Sequence, residues 1–419
     1  MTFVERGALR AYQLERLREL RDALVPANAF YSSRLPGEIA SLEAYSAAVP
    51  FTTKSELVAD QVAHPPFGSN HTCPRSAYTR FCQTSGTTGR PLRWLDTTES
   101  WDWMLDCWAR VFTSAGVGAG DRVFFAFSFG PFLGFWTAFD SAVRLGCLAI
   151  PGGGMTSTAR LRTLVDSQAE VLCCTPTYAI RLAEVAREEG VDLAAGAVRK
   201  VIVAGEPGGS VSGTRALLES LWPGARIMDH HGMTETGPVS YECPVNPRVL
   251  HIMEDQFFAE IVDPSSGQPL LDGAPGELVL TNLGRIAAPV LRYRTGDLVQ
   301  PAPAGRCSCG SLDLALPGGI LARCDDMVVI RGVNIYPSAI EDVVRACGGI
   351  AEYRVEIAAV RSMDELRLQI EPAPDAPAGL VHRLETALRD AFGLRIPIET
   401  ATSGSLPRFE MKSKRWVRV

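Results

Sequence analysis

The sequence lacks any excess of positive charge and any long uncharged apolar run. Its 41 Lys and Arg stand against 47 Asp and Glu, a net charge of −6, which argues against nucleic-acid or membrane-surface binding because such proteins carry a basic face. No window approaches the roughly 20 apolar residues of a membrane-spanning helix. The first 24 residues lack a basic start followed by an apolar core, so they do not resemble a secretory signal and we expect a cytoplasmic protein.

A disulfide framework is also a poor explanation for 11 cysteines in a chain without an export signal. Most of the cysteines are scattered, as is typical of small buried apolar residues. Four ligand-type residues are spaced differently: Cys243 precedes His251 by eight residues, and Cys307 and Cys309 share the stretch GRCSCGS. This set predicts a structural Zn²⁺ site with three thiolates and one imidazole, and free thiols in a loop are the alternative.

Apolar strand-like runs alternate with helical patterns through the first three quarters of the chain, as in RVFFAFSF, GFWTAFDSAVRLG, CLAIPGGG and VRKVIVAGEP. This alternation predicts an α/β fold with a mainly parallel sheet covered by helices. Ligands of such sheets bind at the carboxyl ends of strands. The polar or glycine-rich segments 152–154, 205–209 and 231–237 are therefore candidate sites.

Two changes of pattern predict further structure. From Phe257 onwards, strand-like segments around Pro, Gly and Ser turns indicate a small antiparallel β unit. After residue 323 a helix, two strands, a second helix and a basic tail indicate a small α+β domain. We expect a large N-terminal domain of residues 1–323 and a C-terminal domain of residues 324–419.

The stretch QTSGTTGRP poses a question of its own. It is not a Walker A loop, because Gly86 and Gly89 are separated by two residues and no Lys-Ser/Thr pair follows. Its glycines still allow close approach of backbone N–H groups to an anion, and its hydroxyls add donors. Taken alone, a polar turn is the favoured interpretation.

Context changes that interpretation, because eight segments resemble, in order, those of the adenylate-forming enzymes and of their phenylacetate–CoA ligase-like branch. Matches in this order are specific for the family, although not for its substrate. The segments are 49–57 (VPFTTKSEL), 84–91 (TSGTTGRP), 171–190 (VLCCTPTYAIRLAEVAREEG), 204–207 (AGEP), 231–237 (HGMTETG), 291–298 (LRYRTGDL), 324–344 (CDDMVVIRGVNIYPSAIEDVV) and 404–415 (GSLPRFEMKSKR).

The resemblance implies that a carboxylate attacks the α-phosphate of ATP, that pyrophosphate leaves, and that the acyl group passes to a thiol or another nucleophile. A donor-rich loop, a Mg²⁺ ion and a cation would stabilise the phosphoryl charge. The implied phosphate loop comprises Thr84, Ser85, Gly86, Thr87, Thr88, Gly89 and Arg90. Family members usually have lysine at the position of Arg90, so the charge is kept but its geometry changes.

Nucleotide-binding roles follow from the same resemblance. Glu235 matches a magnesium-binding carboxylate, and Thr234 matches a phosphate-contacting hydroxyl. Asp297 matches the acceptor of both ribose hydroxyls, and Arg323 matches a nucleotide-contacting arginine. Glu206 and Pro207 match a segment against which adenine packs, and the other implied nucleotide-binding residues are Gly205, His231, Gly232 and Met233. His231 stands where the family commonly has a stacking tyrosine, so it also admits a contact with the acyl substrate.

The C-terminal residues imply a moving domain. Asp325 matches a hinge about which the small domain turns between adenylation and acyl transfer. Lys412 matches the catalytic lysine, which acts as a point charge on the attacking carboxylate and the phosphate. Met411 replaces the usual glycine, so Lys414 is a second candidate. A solvated basic tail is the alternative interpretation for Lys412 and Lys414, and a surface acid is the alternative for Asp325.

An aromatic carboxylic acid is the substrate that the resemblance favours. Aromatic residues crowd the chain after Asp121, and flat apolar walls suit an aryl ring, although core packing explains several of them equally well. The implied pocket residues are Phe127, Phe129, Phe132, Gly154, His231 and Gly237, with Phe125, Phe135 and Trp136 nearby in sequence.

The acceptor is more open. Coenzyme A is the family default, but relatives load a separate carrier-protein thiol or form an amide with an amine. A nucleotide- or acyl-binding protein that has lost catalysis is the alternative from another class; the departures at His231, Arg90 and Met411 favour it, and Glu235, Asp297 and Lys412 count against it. The resemblance also suggests a homodimer.

Overall fold

The computed structural model describes residues 3–84, 91–270, 273–331, 333–360, 363–409 and 412–419. The predicted phosphate-loop residues Ser85, Gly86, Thr87, Thr88, Gly89 and Arg90 lie outside these ranges, as does Met411. Within the described ranges, no helix combines the length and the apolar character that crossing a bilayer requires.

The helices within the described ranges are α1 (Arg6–Leu24), α2 (Leu42–Ala48), α3 (Lys54–Ala63), α4 (Thr98–Ser114), α5 (Leu133–Arg144), α6 (Ser157–Asp166), α7 (Pro176–Glu188), α8 (Ser212–Leu221), α9 (Pro337–Cys347) and α10 (Leu380–Phe392). The strands up to the middle of the chain are β1 (Tyr78–Gln83), β2 (Arg93–Thr97), β3 (Arg122–Phe125), β4 (Leu148–Pro151), β5 (Val171–Cys174), β6 (Lys200–Ala204), β7 (Arg226–His230), β8 (Gly232–Met233), β9 (Gly237–Pro238), β10 (Ser240–Glu242), β11 (Val249–Ile252) and β12 (Phe257–Val262). The later strands are β13 (Gly276–Asn282), β14 (Tyr293–Val299), β15 (Ala315–Pro317), β16 (Ala322–Arg323), β17 (Val328–Ile330), β18 (Val333–Ile335), β19 (Ile350–Val360), β20 (Met363–Pro372), β21 (Ile398–Thr400) and β22 (Trp416–Arg418).

The chain forms two compact units, and the first contains Met1–Gly154 and His230–Gly319. In it β3 and β4 pair in parallel, whereas β12, β13 and β14 form consecutive antiparallel pairs. The antiparallel unit predicted from Phe257 onwards is therefore present. Strands β10, β11 and β15 form another antiparallel group. Tyr31 and Tyr45 are buried in the core of this unit, and their hydroxyls bond to Thr52 and Thr281.

The second unit contains Met155–Asp229 and Ile320–Val419. Strands β5 and β6 pair in parallel, and β5 is buried along its whole length, which explains its apolar sequence. Helix α7 begins after Thr175, whose side chain accepts a hydrogen bond from the Tyr178 amide, and Pro176 occupies a first-turn position. The predicted α/β class with parallel strands and covering helices is confirmed.

The C-terminal part of the second unit has the predicted mixture of helices and strands. A sheet in the order β21, β20, β19, β22 is built around the long antiparallel pair β19–β20. Helix α9 packs on α8 at Gly213, where an added Cβ would lie 2.7 Å from the Asp342 carbonyl oxygen. The Asp342 carboxylate also accepts a hydrogen bond from the Gly213 amide at 2.6 Å. The division into residues 1–323 and 324–419 stays a prediction.

Candidate nucleotide and acyl site

Thr84, the first residue of the predicted phosphate loop, is bound in the first unit to Leu92, which follows that segment in the chain. The Thr84 amide donates to the Leu92 carbonyl at 2.9 Å, and the Thr84 hydroxyl accepts from the Leu92 amide at 3.0 Å. Thr84 is buried, and both residues adjoin the antiparallel pair β1–β2. The Thr84 hydroxyl therefore has a structural role, the hydrogen bond to Leu92, in addition to the predicted contact with phosphate.

Glu235, the predicted magnesium ligand, lies in the turn between β8 and β9. It is 4% exposed, and its Oε1 lies 3.6 Å from Nζ of Lys54. Lys54 is the first residue of α3, and its side chain is half exposed. The sequence analysis did not identify Lys54, although it lies in one of the family segments.

A buried ion pair fixes the backbone on either side of Glu235. Arg285 is fully buried and bonds to both carboxylate oxygens of Asp96, at 2.8 and 2.6 Å. Its Nη1 donates to the Thr234 carbonyl at 2.7 Å and to the Glu235 carbonyl at 3.1 Å. Neither Asp96 nor Arg285 was identified from the sequence. The pair positions the turn that carries the predicted phosphate and magnesium residues.

His231 and Asp297 lie together. The His231 Nε2 atom is 2.9 Å from Asp297 Oδ2, and the side chains of both residues are at most 10% exposed. The His231 amide donates to the Ser240 hydroxyl at 3.1 Å. Among the described residues, the buried Nδ1 of His231 has no hydrogen-bond partner. The ring that stands where the family commonly has a tyrosine thus contacts the predicted ribose carboxylate.

In the second unit, the segment predicted to pack on adenine contacts the segment that carries the predicted catalytic lysine. Glu206 accepts hydrogen bonds from the Thr177 amide at 2.9 Å and from the Ser413 amide at 2.8 Å. A Cβ added to Gly205 would lie 3.5 Å from Cε of Lys412. Lys412 therefore lies beside Gly205 and Glu206. Lys414 lines a different crevice, with Phe409 and Arg354.

Arg323 and Asp325, predicted as a nucleotide contact and a hinge, bind each other. The guanidinium forms two hydrogen bonds with the carboxylate, at 3.0 and 3.1 Å. Asp325 is the more exposed partner, with 66% of its side chain accessible. The predicted roles of these residues are not tested by this pairing.

The aromatic residues after Asp121 form one cluster in the first unit. Phe127 and Phe135 stack with their centroids 4.3 Å apart, and Phe132 contacts Phe135 edge to face at 5.8 Å. Phe129 packs edge to face on Trp136. The cluster's other members, Phe125 and Phe139, pack edge to face on each other, and Phe125 is fully buried, as the core-packing alternative requires. The predicted pocket glycines Gly154 and Gly237 both have positive φ angles, of 72° and 86°.

The four residues of the predicted metal site come together. Cys243, His251, Cys307 and Cys309 place their ligand atoms within 4.8 Å of one another. The His251 Nδ1 lies 3.1 Å from the Asp313 carbonyl oxygen, which leaves Nε2 facing the Cys309 sulfur at 3.5 Å. Burial alone raises the pKa of Cys307, but hydrogen bonds, first of all from the Cys309 backbone, lower it to about 6. This donor set fits a tetrahedral zinc ion.

Comparisons with known proteins match this arrangement over nearly the full chain. The family model "AMP-binding enzyme" matches residues 41–284, and "AMP-binding enzyme C-terminal domain" matches residues 332–418. Phenylacetate-coenzyme A ligase of Thermus thermophilus is 32% identical, over 97% of this chain and 95% of its own. The ligase of the same name from Aromatoleum evansii is 34% identical, over 98% and 94%.

Solved structures agree with this result. A structure of 2-hydroxyisobutyryl-CoA ligase in the postadenylation state, in complex with 2-HIB-AMP, is similar with a TM-score of 0.91 and 30% identity. It covers 97% of this chain and 89% of its own. The same ligase in the thioesterification state has a TM-score of 0.75. The chain therefore belongs to the AMP-binding enzymes, in their phenylacetate–CoA ligase-like branch, and is an AMP-forming acid–thiol ligase.

Proposed function

We propose that this enzyme activates an aromatic carboxylic acid with ATP and transfers the acyl group to the thiol of coenzyme A. The observation that carries the aromatic assignment is the stacked cluster around Phe127 and Phe135. The names of the phenylacetate-coenzyme A ligases support it. The similarity to 2-hydroxyisobutyryl-CoA ligase favours a small hydroxy acid as a second candidate.

Two bond exchanges make up the reaction. A carboxylate oxygen of the acid bonds to the α-phosphorus of ATP, and pyrophosphate leaves with its bonding electrons. The thiolate sulfur of coenzyme A then bonds to the acyl carbon, and AMP leaves. The first step concentrates negative charge on the α-phosphate oxygens, so preorganised cations and donors lower its barrier.

The residues of this chain supply those groups. Glu235 is a nearly buried carboxylate that fits a Mg²⁺ ion, which when bound would neutralise phosphate charge. Asp297, held by His231, accepts the ribose hydroxyls. The ammonium of Lys412, beside Gly205, stabilises the attacking carboxylate and the phosphate.

The proposal is tested by carboxylate-dependent pyrophosphate release from ATP and Mg²⁺. The panel contains aryl acids and 2-hydroxyisobutyrate, each with and without coenzyme A, and products are identified by mass. An aryl-CoA product supports the proposal. Release that yields only acyl-AMP would indicate that the acceptor is a carrier protein or an amine. A hydroxyacyl-CoA product would indicate that the substrate is a hydroxy acid and not an aromatic acid. No release with any acid would favour a binding protein that has lost catalysis.

Lys412→Ala separates catalysis from nucleotide binding. We expect carboxylate-dependent pyrophosphate release to be abolished, because the point charge on the phosphate is lost, while ATP binding stays measurable by calorimetry. Lys414→Ala is the matched control, since Lys414 lines another crevice. If Lys414→Ala is the inactive variant, the catalytic role belongs to that residue.

We also propose that the four clustered residues hold one structural Zn²⁺ per chain. Elemental analysis of the purified protein tests this, with Cys307→Ser as the variant and Cys73→Ser as the control. Zinc at about one equivalent in the native protein and in Cys73→Ser, and its loss in Cys307→Ser, is the expected result. Native protein without zinc contradicts the proposal.

The suggested homodimer stays a prediction that light scattering can test.

A further inference from the structure

Glu206 bonds to two other segments of the second unit, one of which, at Ser413, is 207 positions away in the chain. Its Oε1 accepts from the Thr177 amide, at the first turn of α7, at 2.9 Å. Its Oε2 accepts from the Ser413 amide at 2.8 Å and from the Ser413 hydroxyl at 3.2 Å. Each carboxylate oxygen is thus committed to a different segment.

Ser413 directly follows Lys412, so the bond to Glu206 acts next to the lysine's own backbone. The Lys412 side chain lies next to Gly205: its Cε would be 3.5 Å from a Cβ added at residue 205. Gly205 has a φ of 94°, a conformation that L side chains rarely adopt. Gly205 therefore leaves space for the Lys412 side chain, and the Glu206 carboxylate binds Ser413. The two residues together position residues 412–413.

A second contact of the same C-terminal segment lies further away. The Arg408 guanidinium is 3.6 Å from Glu184 on α7 and also bonds to Glu371. Arg408 is several residues before the lysine, so this contact holds the segment without touching Lys412. The two contacts can therefore be removed separately.

We propose that Glu206 is a positioning residue that holds Lys412 for the adenylation step and has no part in acyl transfer. A carboxylate that accepts backbone N–H bonds forms strong, directional bonds, because the acceptor is charged. This inference rests on the proposed function, since it assigns a role within that reaction. It goes beyond the adenine contact expected for Glu206 from the family resemblance.

Glu206→Gln tests the proposal with little change in shape. The amide oxygen can accept from only one of the two segments, and its NH₂ group then faces the other donor. We expect the rate of carboxylate-dependent pyrophosphate release to fall by about tenfold or more, because bonds to charged acceptors are among the strong ones. Thioester formation from supplied acyl-AMP and coenzyme A should stay within about twofold of the native protein.

Two further variants separate this role from a general structural one. Ser413→Ala keeps the amide bond to Glu206 and loses only the longer hydroxyl bond, so its adenylation rate should stay near the native rate. Glu184→Gln removes the charge that attracts Arg408 in the remote contact of the same segment and should leave both half-reactions unchanged. An equal loss of both half-reactions in Glu206→Gln, or no loss in either, overturns the proposal.

A readout without turnover separates failure of this inference from failure of the proposed function. Hydrogen exchange of the peptide that contains Ser413 should be faster in Glu206→Gln than in the native protein and unchanged in Glu184→Gln. Unchanged exchange in Glu206→Gln overturns the inference even if the enzyme is active. If exchange is faster in Glu206→Gln but the native protein adenylates no acid, the contact between Glu206 and Ser413 is supported and only the proposed function is refuted.

Discussion

Arg285 carries the largest expected effect of a single residue. Arg285→Met leaves the Asp96 carboxylate buried without its partner and removes both donors to the turn at Glu235. Breaking a fully buried pair costs about 3–5 kcal/mol. We expect the free energy of unfolding in urea to fall by that amount and pyrophosphate release to fall with it.

The matched control for Arg285 is an exposed pair. Arg144→Ala removes a guanidinium whose partner Asp106 has 72% of its side chain exposed. Exposed pairs contribute about 0–1 kcal/mol. If Arg285→Met is no less stable than Arg144→Ala, the buried pair does not hold the turn.

His231 gives a second prediction, on nucleotide affinity. His231→Phe keeps an aromatic ring and removes the hydrogen bond to Asp297. The carboxylate loses its positioning partner, so we expect the Kd for ATP to rise about tenfold, equivalent to about 1.4 kcal/mol. Calorimetry with Mg·ATP measures this, and His64→Phe, at an exposed position, is the control. An ATP affinity of His231→Phe equal to that of the native protein would show that the hydrogen bond between His231 and Asp297 does not contribute to nucleotide binding.

At the scale of elements, the start of α3 determines where Lys54 lies. Thr53 and Glu56 form a reciprocal capping box, in which each side chain bonds to the other residue's amide. Thr53→Ala should lower the free energy of unfolding by about 1 kcal/mol, because an orphan amide loses its acceptor. Thr53→Ser keeps the hydroxyl and should be neutral. Equal stability of the two variants in chemical denaturation would contradict this role.

The elements themselves were largely predictable because their causes are local. The apolar runs RVFFAFSF and VRKVIVAGEP, which contain β3 and β6, follow from neighbouring residues. The candidate site motifs were assigned by resemblance, and their roles stay predictions. The partners of those motifs were not, since Asp96 and Arg285 are 189 positions apart and Glu206 and Ser413 are 207 apart. Only tertiary packing brings such residues together, and no local pattern records it.

At the scale of the whole molecule, we expect a buried imidazole to lower the stability of the protein in acid. Burial lowers the pKa of His230 to about 4, and its Nδ1 lies 2.7 Å from the Ser240 carbonyl oxygen. Above pH 6.5 the residue is neutral in both the folded and unfolded states. As the pH falls from 6.5 to about 4, the unfolded chain binds a proton that the folded chain excludes, so the free energy of unfolding declines, by up to about 3 kcal/mol.

His230→Asn removes this titration. Between pH 7 and pH 5, the free energy of unfolding should decline less steeply in the variant than in the native protein. His64→Asn, at an exposed histidine, should keep the native slope. Parallel pH profiles of the native protein and of His230→Asn would show that His230 does not contribute.

The aromatic cluster comes from one uninterrupted stretch of chain, residues 125–139. Glu235, Asp297 and Lys412 all come from elsewhere in the sequence. The aromatic part of the predicted acyl pocket is therefore contiguous in the gene, whereas the predicted pocket residues Gly154, His231 and Gly237 come from other segments. A library that varies only residues 125–139 would measure how far this stretch determines the choice of acid, because Glu235, Asp297 and Lys412 stay unchanged in every member.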